Sequence, residues 1–353
     1  MRAVLEIEVY EFFAKAFQLL YNDRVTAKDM PGRPLAGMAR RFKGFSKIRV
    51  LDFSKLLPGP YATQALVEMG CRVTRVELPH FQDISREIPP KIEGVGALYW
   101  LINQGKRELR FDFRTPAGRK RMETLIRSSD VLMEGFRPGL MDRIGLGYAA
   151  VKKLNSKLVY CSLSGYSPSG PWAKTAGHDI NFMAASGFLG LGNSEGRVAY
   201  PAAQLADVAG SLGALSGILA ALVERAFTGK GRHVQVAITD VLHSMLSIPL
   251  AELKATGKDA KPGKEWWSGG SHPFYGLYDT KDGRKMAVGA LEPKFSIALM
   301  DVLGLSNLRG TAVKEALRRM FAEKTMLEWE KIFAGKDVCV TPVYTLGEAQ
   351  ARL

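Results

Sequence analysis

From Ile48 onward, short apolar and β-branched runs alternate with longer segments in which apolar and polar residues mix. This alternation is typical of a parallel α/β domain, in which buried strands are followed by helices that cover the sheet. The pattern predicts a Rossmann-like large domain over residues 45–250. The predicted strands are Ile48–Phe53, Arg72–Glu77, Leu109–Phe113, Val131–Gly135 and Leu158–Leu163.

Three further segments of this region have the apolar spacing of helices. Tyr61–Met69 follows a Gly/Pro turn and ends at Gly70, a residue that commonly closes helices. The segment from Asp207 to Glu224 carries a small residue at nearly every turn, which predicts a deeply packed helix. Val236–Leu246 is predicted as one more helix.

The composition changes near the end of the large domain. Lys254–Lys264 is rich in Lys, Gly, Pro and Asp, which predicts a linker over residues 251–265. Phe274–Tyr278 and Lys285–Gly289 then predict a hairpin that opens a smaller α+β domain over residues 266–353. That domain ends with a predicted strand at Cys339–Val343. Residues 1–44 have at best one amphipathic helix and are interpreted as an N-terminal extension.

Length and composition exclude several classes of protein. The chain has 353 residues, of which 46% are apolar, so it can bury a large core in two domains. Its three cysteines are far apart and its five histidines lack ligand spacing, so neither a disulfide framework nor a metal site is predicted. No apolar run reaches the roughly 18 residues of a membrane span. These features predict a cytoplasmic protein.

The formal net charge of +14 favours anionic partners. Much of the excess lies in Lys106–Arg127, a stretch that lacks the interleaved aromatic residues of single-strand binders and any helix-turn-helix or zinc signature. We therefore expect a polyphosphate-bearing small molecule and no nucleic acid, with at least half of these charges simply solvated. The cations of the stretch are Lys106, Arg107, Arg110, Arg114, Arg119, Lys120, Arg121 and Arg127, against the acids Glu108, Asp112 and Glu123.

Two turns of the predicted sheet are candidates for anion binding. Pro58 and Gly59 lie where the first strand meets a helix start, a place where backbone amides and the helix dipole meet anions. Arg137 follows the fourth strand in a Pro-Gly turn, at the carboxyl edge where ligands of such sheets bind. No dinucleotide or ATP motif accompanies them. The string Gly192–Gly196 matches G-x-S-x-G, but it lies in a Gly-rich loop and not on a strand-to-helix elbow, so a serine hydrolase is rejected.

The candidate acid–base residues lie in the segment Gly177–Asn181 and at Asp207. A histidine and an aspartate from separate turns can face each other across a pocket and move protons on both sides of one carbon. His178 and Asp207 would form such a pair. The structural alternative is that His178 binds a loop carbonyl and Asp207 caps its helix. For Asp207, the helix dipole would lower the carboxyl pKa and burial would raise it.

Taken together, the ordered motifs from about residue 45 to the end resemble the family III coenzyme A transferases, and within them the α-methylacyl-CoA racemase branch. The resemblance implies the fold of that family, with a Rossmann-like large domain and a smaller α+β domain. The motifs that carry it are Arg49–Phe53, Leu57–Pro60, Asn103–Arg107, Glu134–Gly139, Gly177–Asn181, Leu205–Asp207, Thr228–Gly231 and Gly269–Glu292.

The resemblance implies roles for individual residues. In the racemases the aspartate at the position of Asp207 is paired with the histidine of the Gly-His-Asp-Ile-Asn motif, here His178, and a small-domain glutamate, here Glu292, binds that histidine. The backbone N–H of Asp179 would help to bind an enolate oxygen. The phosphates of coenzyme A would be held by exposed cations, namely Lys106, Arg107 and Arg137.

The implied activity is racemisation of 2-methylacyl-CoA esters in fatty acid metabolism, with coenzyme A as part of the substrate and no separate cofactor. Two alternatives remain open. A family III transferase would use Asp207 as the nucleophile, and a non-catalytic protein would only bind coenzyme A or nucleic acid.

The family also forms an interlocked homodimer, which we expect here. Its chain returns to the large domain after building the small one, and that return is expected to be missing from this sequence. The terminal Ala351-Arg352-Leu353 approaches a peroxisomal signal, a match that we attribute to chance.

Overall fold

The computed structural model describes residues 42–192, 200–259, 272–310 and 312–352. Contacts divide the chain into two compact units. The first unit comprises the residues up to Ser186 together with Pro201–Met245, and the second comprises Gly187–Tyr200 together with Leu246–Leu353. Most of the predicted N-terminal extension lies outside the described residues, as does Ser194 of the G-x-S-x-G string.

A parallel sheet of six strands forms the centre of the first unit, as the sequence pattern predicted. A short antiparallel pair, Lys91–Ile92 (β3) and Val95–Gly96 (β4), lies apart from it. The strands of the large sheet are Arg49–Asp52 (β1), Arg72–Glu77 (β2), Arg107–Arg110 (β5), Val131–Glu134 (β6), Val159–Ser164 (β7) and His233–Ala237 (β8).

The strand order of this sheet is β5-β2-β1-β6-β7-β8, so the order reverses between β1 and β6. This is the arrangement of a doubly wound Rossmann sheet, whose ligands bind outside the carboxyl ends of the strands at the reversal. The turns after Asp52 and Glu134 therefore lie at the position where this architecture places a ligand.

Helices cover the sheet of the first unit. Their bounds are Pro58–Met69 (α1), Ala97–Ile102 (α2), Pro116–Arg127 (α3), Leu140–Arg143 (α4), Tyr148–Leu154 (α5), Asp179–Ala185 (α6), Leu205–Thr228 (α7) and Ile238–Ser244 (α8). Helices α3, α4 and α5 contribute to a core that also contains Leu51, Leu132 and Tyr160. Helices α1 and α7 pack against each other and against the strands.

The long helix α7 approaches its neighbours through glycines. A Cβ atom on Gly210 would lie 2.6 Å from Cγ1 of Ile238, and one on Gly217 would lie 2.6 Å from Cγ1 of Val234. The predicted deep packing of this helix is thereby confirmed. By length and composition alone α7 could cross a membrane, but its small residues pack on α1 and the sheet as those of a core helix do.

The second unit has its own sheet and core. The strands are Tyr275–Asp279 (β9), Lys285–Gly289 (β10) and Val340–Pro342 (β11), and the helices are Ser247–Thr256 (α9), Pro293–Val302 (α10), Ala312–Phe321 (α11), Met326–Phe333 (α12) and Leu346–Arg352 (α13). The three strands are antiparallel and ordered β11-β10-β9. Phe321, Trp329 and Phe333 form an aromatic cluster in the core of this unit.

Three predicted elements differ from the structure. The helix predicted near Val236–Leu246 is confirmed as α8, but it is shorter than predicted, because the first two residues of the predicted range belong to β8. The third strand of the sheet comprises Arg107–Arg110 and not Leu109–Phe113; Phe113 lies beyond it and packs edge-on against Phe53 with ring centres 5.9 Å apart. Helix α9 extends through Thr256, within the predicted linker.

Candidate active site

His178 is held at the start of helix α6. Gly177 before it has no room for a side chain, since a Cβ would lie 2.7 Å from both Cε1 of Phe182 and the hydroxyl of Tyr166. The backbone N–H of His178 donates to Oδ1 of Asn181 at 3.0 Å, which closes the first turn. The Gly-His-Asp-Ile-Asn motif is therefore a rigid helix start that presents an exposed imidazole.

Asp207 lies in the first turn of α7 and is half-buried. Its backbone N–H donates to Oδ1 of Asp179 at 2.9 Å. This bond joins the first turn of α6 to the first turn of α7, so the structure brings the histidine motif and Asp207 to one place. The capping alternative for Asp207 is wrong, because Gln204 occupies the cap position and the carboxylate of Asp179 accepts the helix N–H.

The surroundings of Asp207 decide its ionisation. Burial raises the pKa of its carboxyl to about 7, and the nearby charge of Asp179 acts in the same direction. Burial thus outweighs the dipole of α7, which would lower the pKa. A carboxyl that titrates near neutral pH is present in both protonation states, as a group that alternately donates and accepts a proton requires.

Glu292 lies in the second unit, directly between β10 and α10. Glu292 is exposed, and its backbone is extended at the N-cap position of α10. The hydrogen bond to the histidine that the family resemblance implies stays a prediction.

The cations expected to bind phosphate differ in exposure. Arg107 in β5 and Arg137 after β6 are exposed, as predicted. The expectation that Lys106 is an exposed cation is wrong, because its side chain is fully buried and its ammonium binds the carboxylate of Asp52 at 3.3 Å.

Pro58 and Gly59 form the first turn of α1, at the reversal of the sheet. Gly59 is buried, and a Cβ on it would lie 2.2 Å from Cβ of Ser54. Glycine therefore allows the helix start to approach the end of β1 closely. The carbonyl of Pro58 accepts a hydrogen bond from the hydroxyl of Ser211 on α7 at 2.7 Å.

A cavity of about 230 Å³ lies beside β6, β7 and β8 and the turn that follows β6, and Arg137 lines it. Sequence reasoning missed two titratable groups in its wall. Glu134 is buried and bonds to Ser162, and burial raises its pKa. Nε2 of His233 lies 2.9 Å from the hydroxyl of Ser162, while its ring stacks on Tyr148 with centres 4.7 Å apart.

Sequence signals existed for both groups. Glu134 ends a predicted strand close to Arg137, and His233 lies on β8, for which no strand was predicted although its polar and apolar residues alternate. Within the described ranges, no group of three or more His, Cys, Asp or Glu side chains is placed to hold a metal ion.

Comparison with known proteins adds to this geometry. Residues 45–352 match CoA-transferase family III. The chain is 37% identical over 313 residues to the alpha-methylacyl-CoA racemase of Homo sapiens, which covers 85% of this chain and 78% of that protein. It is 31% identical to the succinate–glutarate CoA-transferase of Agrobacterium fabrum, with 86% and 77% covered.

Among solved structures, a CaiB/BaiF family protein from Brucella suis superposes with a TM-score of 0.74 at 27% identity, covering 86% of this chain and 85% of that one. The chain therefore belongs to CoA-transferase family III.

Proposed function

We propose that this family III enzyme is an acyl-CoA racemase, which interconverts (R)- and (S)-2-methylacyl-CoA by removing the α-proton and returning it on the other face. The observation that carries the proposal is the bond between the Asp207 N–H and Asp179, which places an aspartate that titrates near neutral pH beside the histidine motif. The similarity to a racemase at 37% identity supports it.

In this mechanism one residue removes the proton and the other returns it. Neutral His178 takes the α-proton from one enantiomer while protonated Asp207 donates to the opposite face, and the roles reverse for the other enantiomer. The negative charge that develops on the thioester oxygen needs donors nearby. The backbone N–H of Asp179, in the first turn of α6, has no partner within its own helix and serves as such a donor.

Coenzyme A is held through its phosphates. Arg137 is an exposed cation beyond the carboxyl end of β6, and Arg107 is an exposed cation at the first residue of β5. Guanidinium groups bind phosphate in a forked geometry. The adenosine end lies near helix α1. The acyl-CoA is the substrate, and the mechanism requires no other cofactor.

A CoA transferase is the second candidate, favoured by the 31% identity to a succinate–glutarate transferase. Asp207 would then attack the thioester carbonyl as a carboxylate nucleophile. A carboxyl with a pKa of about 7 is only partly ionised at neutral pH, which suits acid–base catalysis better than nucleophilic attack.

Exchange of the α-hydrogen separates the two candidates. We expect the enzyme to incorporate deuterium at the α-carbon of a 2-methylacyl-CoA in deuterated water without any acceptor acid, together with loss of optical purity. Acceptor-dependent transfer of coenzyme A with an unlabelled α-carbon would refute the racemase proposal and leave the transferase.

The assembly we propose is a cytoplasmic homodimer in which Glu292 of one chain orients His178 of the other. Mixing the His178→Ala and Glu292→Gln proteins would then restore activity, because one site of a mixed dimer has both native residues. Activity that does not recover after subunit exchange would show that Glu292 does not act across the dimer.

A further inference from the structure

The ammonium of Lys106 is enclosed by oxygen atoms in the first unit. It lies 2.8 Å from the carbonyl of Pro60, 2.8 Å from the hydroxyl of Thr63, 3.0 Å from Oδ1 of Asn103 and 3.3 Å from Oδ2 of Asp52. The side chains of Lys106 and Asp52 are both fully buried. Three ammonium protons are therefore surrounded by four acceptors of the protein itself.

Asp52 extends this cluster to the end of strand β1. Its Oδ2 accepts from the hydroxyl of Thr63 at 2.5 Å, and its Oδ1 accepts from the backbone N–H of Ser54 at 2.9 Å and from the Ser54 hydroxyl. Pro60 and Thr63 belong to the first two turns of α1. The ion pair consequently fixes the start of α1 against the strand.

A buried hydroxyl connects the start of α1 to Asp207. The Oγ of Ser211 lies 2.7 Å from the carbonyl of Pro58 and 2.7 Å from the carbonyl of Asp207. Ser211 is fully buried. Its proton is thus shared between the first turn of α1 and the turn of α7 that carries the reactive aspartate.

We propose that Lys106 is a positioning residue for Asp207, acting through the first turn of α1 and Ser211. The proposal rests on the role of Asp207, which the racemase and the transferase mechanisms share. Burial lowers the pKa of the Lys106 ammonium to about 8, but the charge of Asp52 opposes this and keeps the ammonium protonated at neutral pH.

A direct role of Lys106 in phosphate binding is the rival explanation. It would require the ammonium to leave four protein oxygens, one of which belongs to its buried carboxylate partner Asp52. The two explanations differ in their kinetics. Loss of a phosphate ligand raises KM for the CoA ester, whereas loss of positioning lowers kcat.

The experiment uses variants that keep the buried charges balanced. Lys106→Met alone would leave the buried carboxylate of Asp52 without its ion-pair partner and can prevent folding, so it is combined with Asp52→Asn. Ser211→Ala removes only the shared hydroxyl. Ser129→Ala is the matched control, because its hydroxyl likewise donates to a carbonyl four residues back, that of Leu125, at 2.7 Å.

We expect Ser211→Ala and the Asp52→Asn/Lys106→Met pair each to lower kcat about tenfold with KM nearly unchanged, because a small displacement of a catalytic group is costly. Combining all three changes should cost little more than either alone, since both interrupt one connection. A tenfold higher KM at unchanged kcat in the charge-balanced pair would overturn the proposal and make Lys106 a phosphate ligand.

A second readout does not depend on the reaction. Hydrogen exchange of the Asp207 and Val208 amides should become faster in the same variants and stay native in Ser129→Ala, because the first turn of α7 loses its support. Native protection of these amides in Ser211→Ala would refute the proposal. If the native enzyme lacks racemase activity, this measurement still decides the role of Lys106.

Discussion

Asp179 and Asp207 are two carboxyl groups whose different surroundings assign them different tasks. Asp179 accepts the backbone N–H of Asp207 at 2.9 Å and thereby holds the two helix starts together. Asp207 has no such bond to its carboxyl from any described residue, and burial raises its pKa to about 7. One carboxylate is therefore structural, and the other is free to exchange protons.

The first residue-scale prediction concerns Asp179→Asn. The amide oxygen can still accept the N–H of Asp207, but the negative charge that helps to raise the pKa of Asp207 is removed. The Asp207 pKa should therefore fall, and the acid limb of the pH–rate profile should move to lower pH. Profiles of kcat/KM for the native enzyme and the variant check this; coincident acid limbs would contradict it.

The second prediction separates the two faces of the substrate. His178→Ala should lose inversion in both directions, while slow deuterium uptake persists in the enantiomer whose hydrogen faces Asp207. Asp207→Asn should show the opposite preference. Each loss should be about 10²–10⁴-fold, the usual contribution of a general base.

Chiral analysis combined with mass spectrometry of each enantiomer measures both quantities for this second prediction. Glu252→Gln on the exposed face of α9 is a suitable control and should behave like the native enzyme. Equal residual labelling of both enantiomers in His178→Ala would exclude the two-face arrangement.

At the residue scale, the sequence indicated which residues are candidates for the chemistry but not how deeply a side chain is buried or which residues it contacts. His178 and Asp207 stood out because their residue types suit proton transfer, and the structure places their motifs together. The burial of Lys106 could not be predicted, because its partner Asp52 is 54 positions away and a run of cations favours exposure. Contacts of that separation appear only with the fold.

At the scale of elements, α7 combines packing and chemistry. Its first turn carries Asp207, and the glycines that follow allow neighbouring side chains to approach its backbone. A Cβ on Gly213 would lie 2.7 Å from Cγ2 of Val241 and 3.4 Å from Cγ1 of Val236. The small residues are required by this close approach and not by helix formation.

Gly213→Ala should therefore destabilise the fold despite the better helix propensity of alanine. We expect a net loss of about 1 kcal/mol or more in the free energy of unfolding, because overpacking outweighs the propensity gain. Gly44→Ala in the same unit is the control, since a Cβ added there would meet nothing within 4 Å. Urea unfolding of both variants tests this, and equal stability of the two would contradict it.

Element prediction succeeded where one periodicity dominated. Strand β2 was predicted with its observed bounds, and β1, β6 and β7 lie within one residue of prediction, whereas β5 begins two residues and ends three residues earlier than predicted. Strand β8 was missed although His233 and Gln235 alternate with Val234 and Val236, the pattern of a half-buried strand. Helix α8 follows β8 directly, and its apolar spacing led to a helix prediction that includes Val236 and Ala237, the last two residues of β8.

At the scale of the whole molecule, the order of the strands creates the proposed ligand position. Reversal between β1 and β6 puts the start of α1 and the turn that carries Arg137 at the same edge of the sheet. The sequence predicted a parallel sheet but not its strand order, because side-chain patterns specify which face is buried and not which strand is adjacent. The cavity beside Glu134 and His233 was unpredictable for the same reason.

The net charge of +14 makes the whole surface attractive to a polyanion, so a local contribution has to be distinguished from the general field. Arg137 is exposed at the carboxyl edge of the sheet, next to the cavity, whereas Arg72 is exposed at the amino end of β2. Replacing either arginine with alanine removes one charge. Only Arg137 lies at the edge where we propose that the phosphates bind.

Arg137→Ala should weaken binding of coenzyme A about tenfold at low ionic strength, since a charge-assisted hydrogen bond to phosphate is lost. Arg72→Ala should weaken it far less, because its contribution acts only through the screened field. Titration calorimetry at low and high salt measures both. The difference between the two variants should persist at high salt, because a direct contact is screened less than a distant charge; equal weakening by both changes would place the phosphates elsewhere.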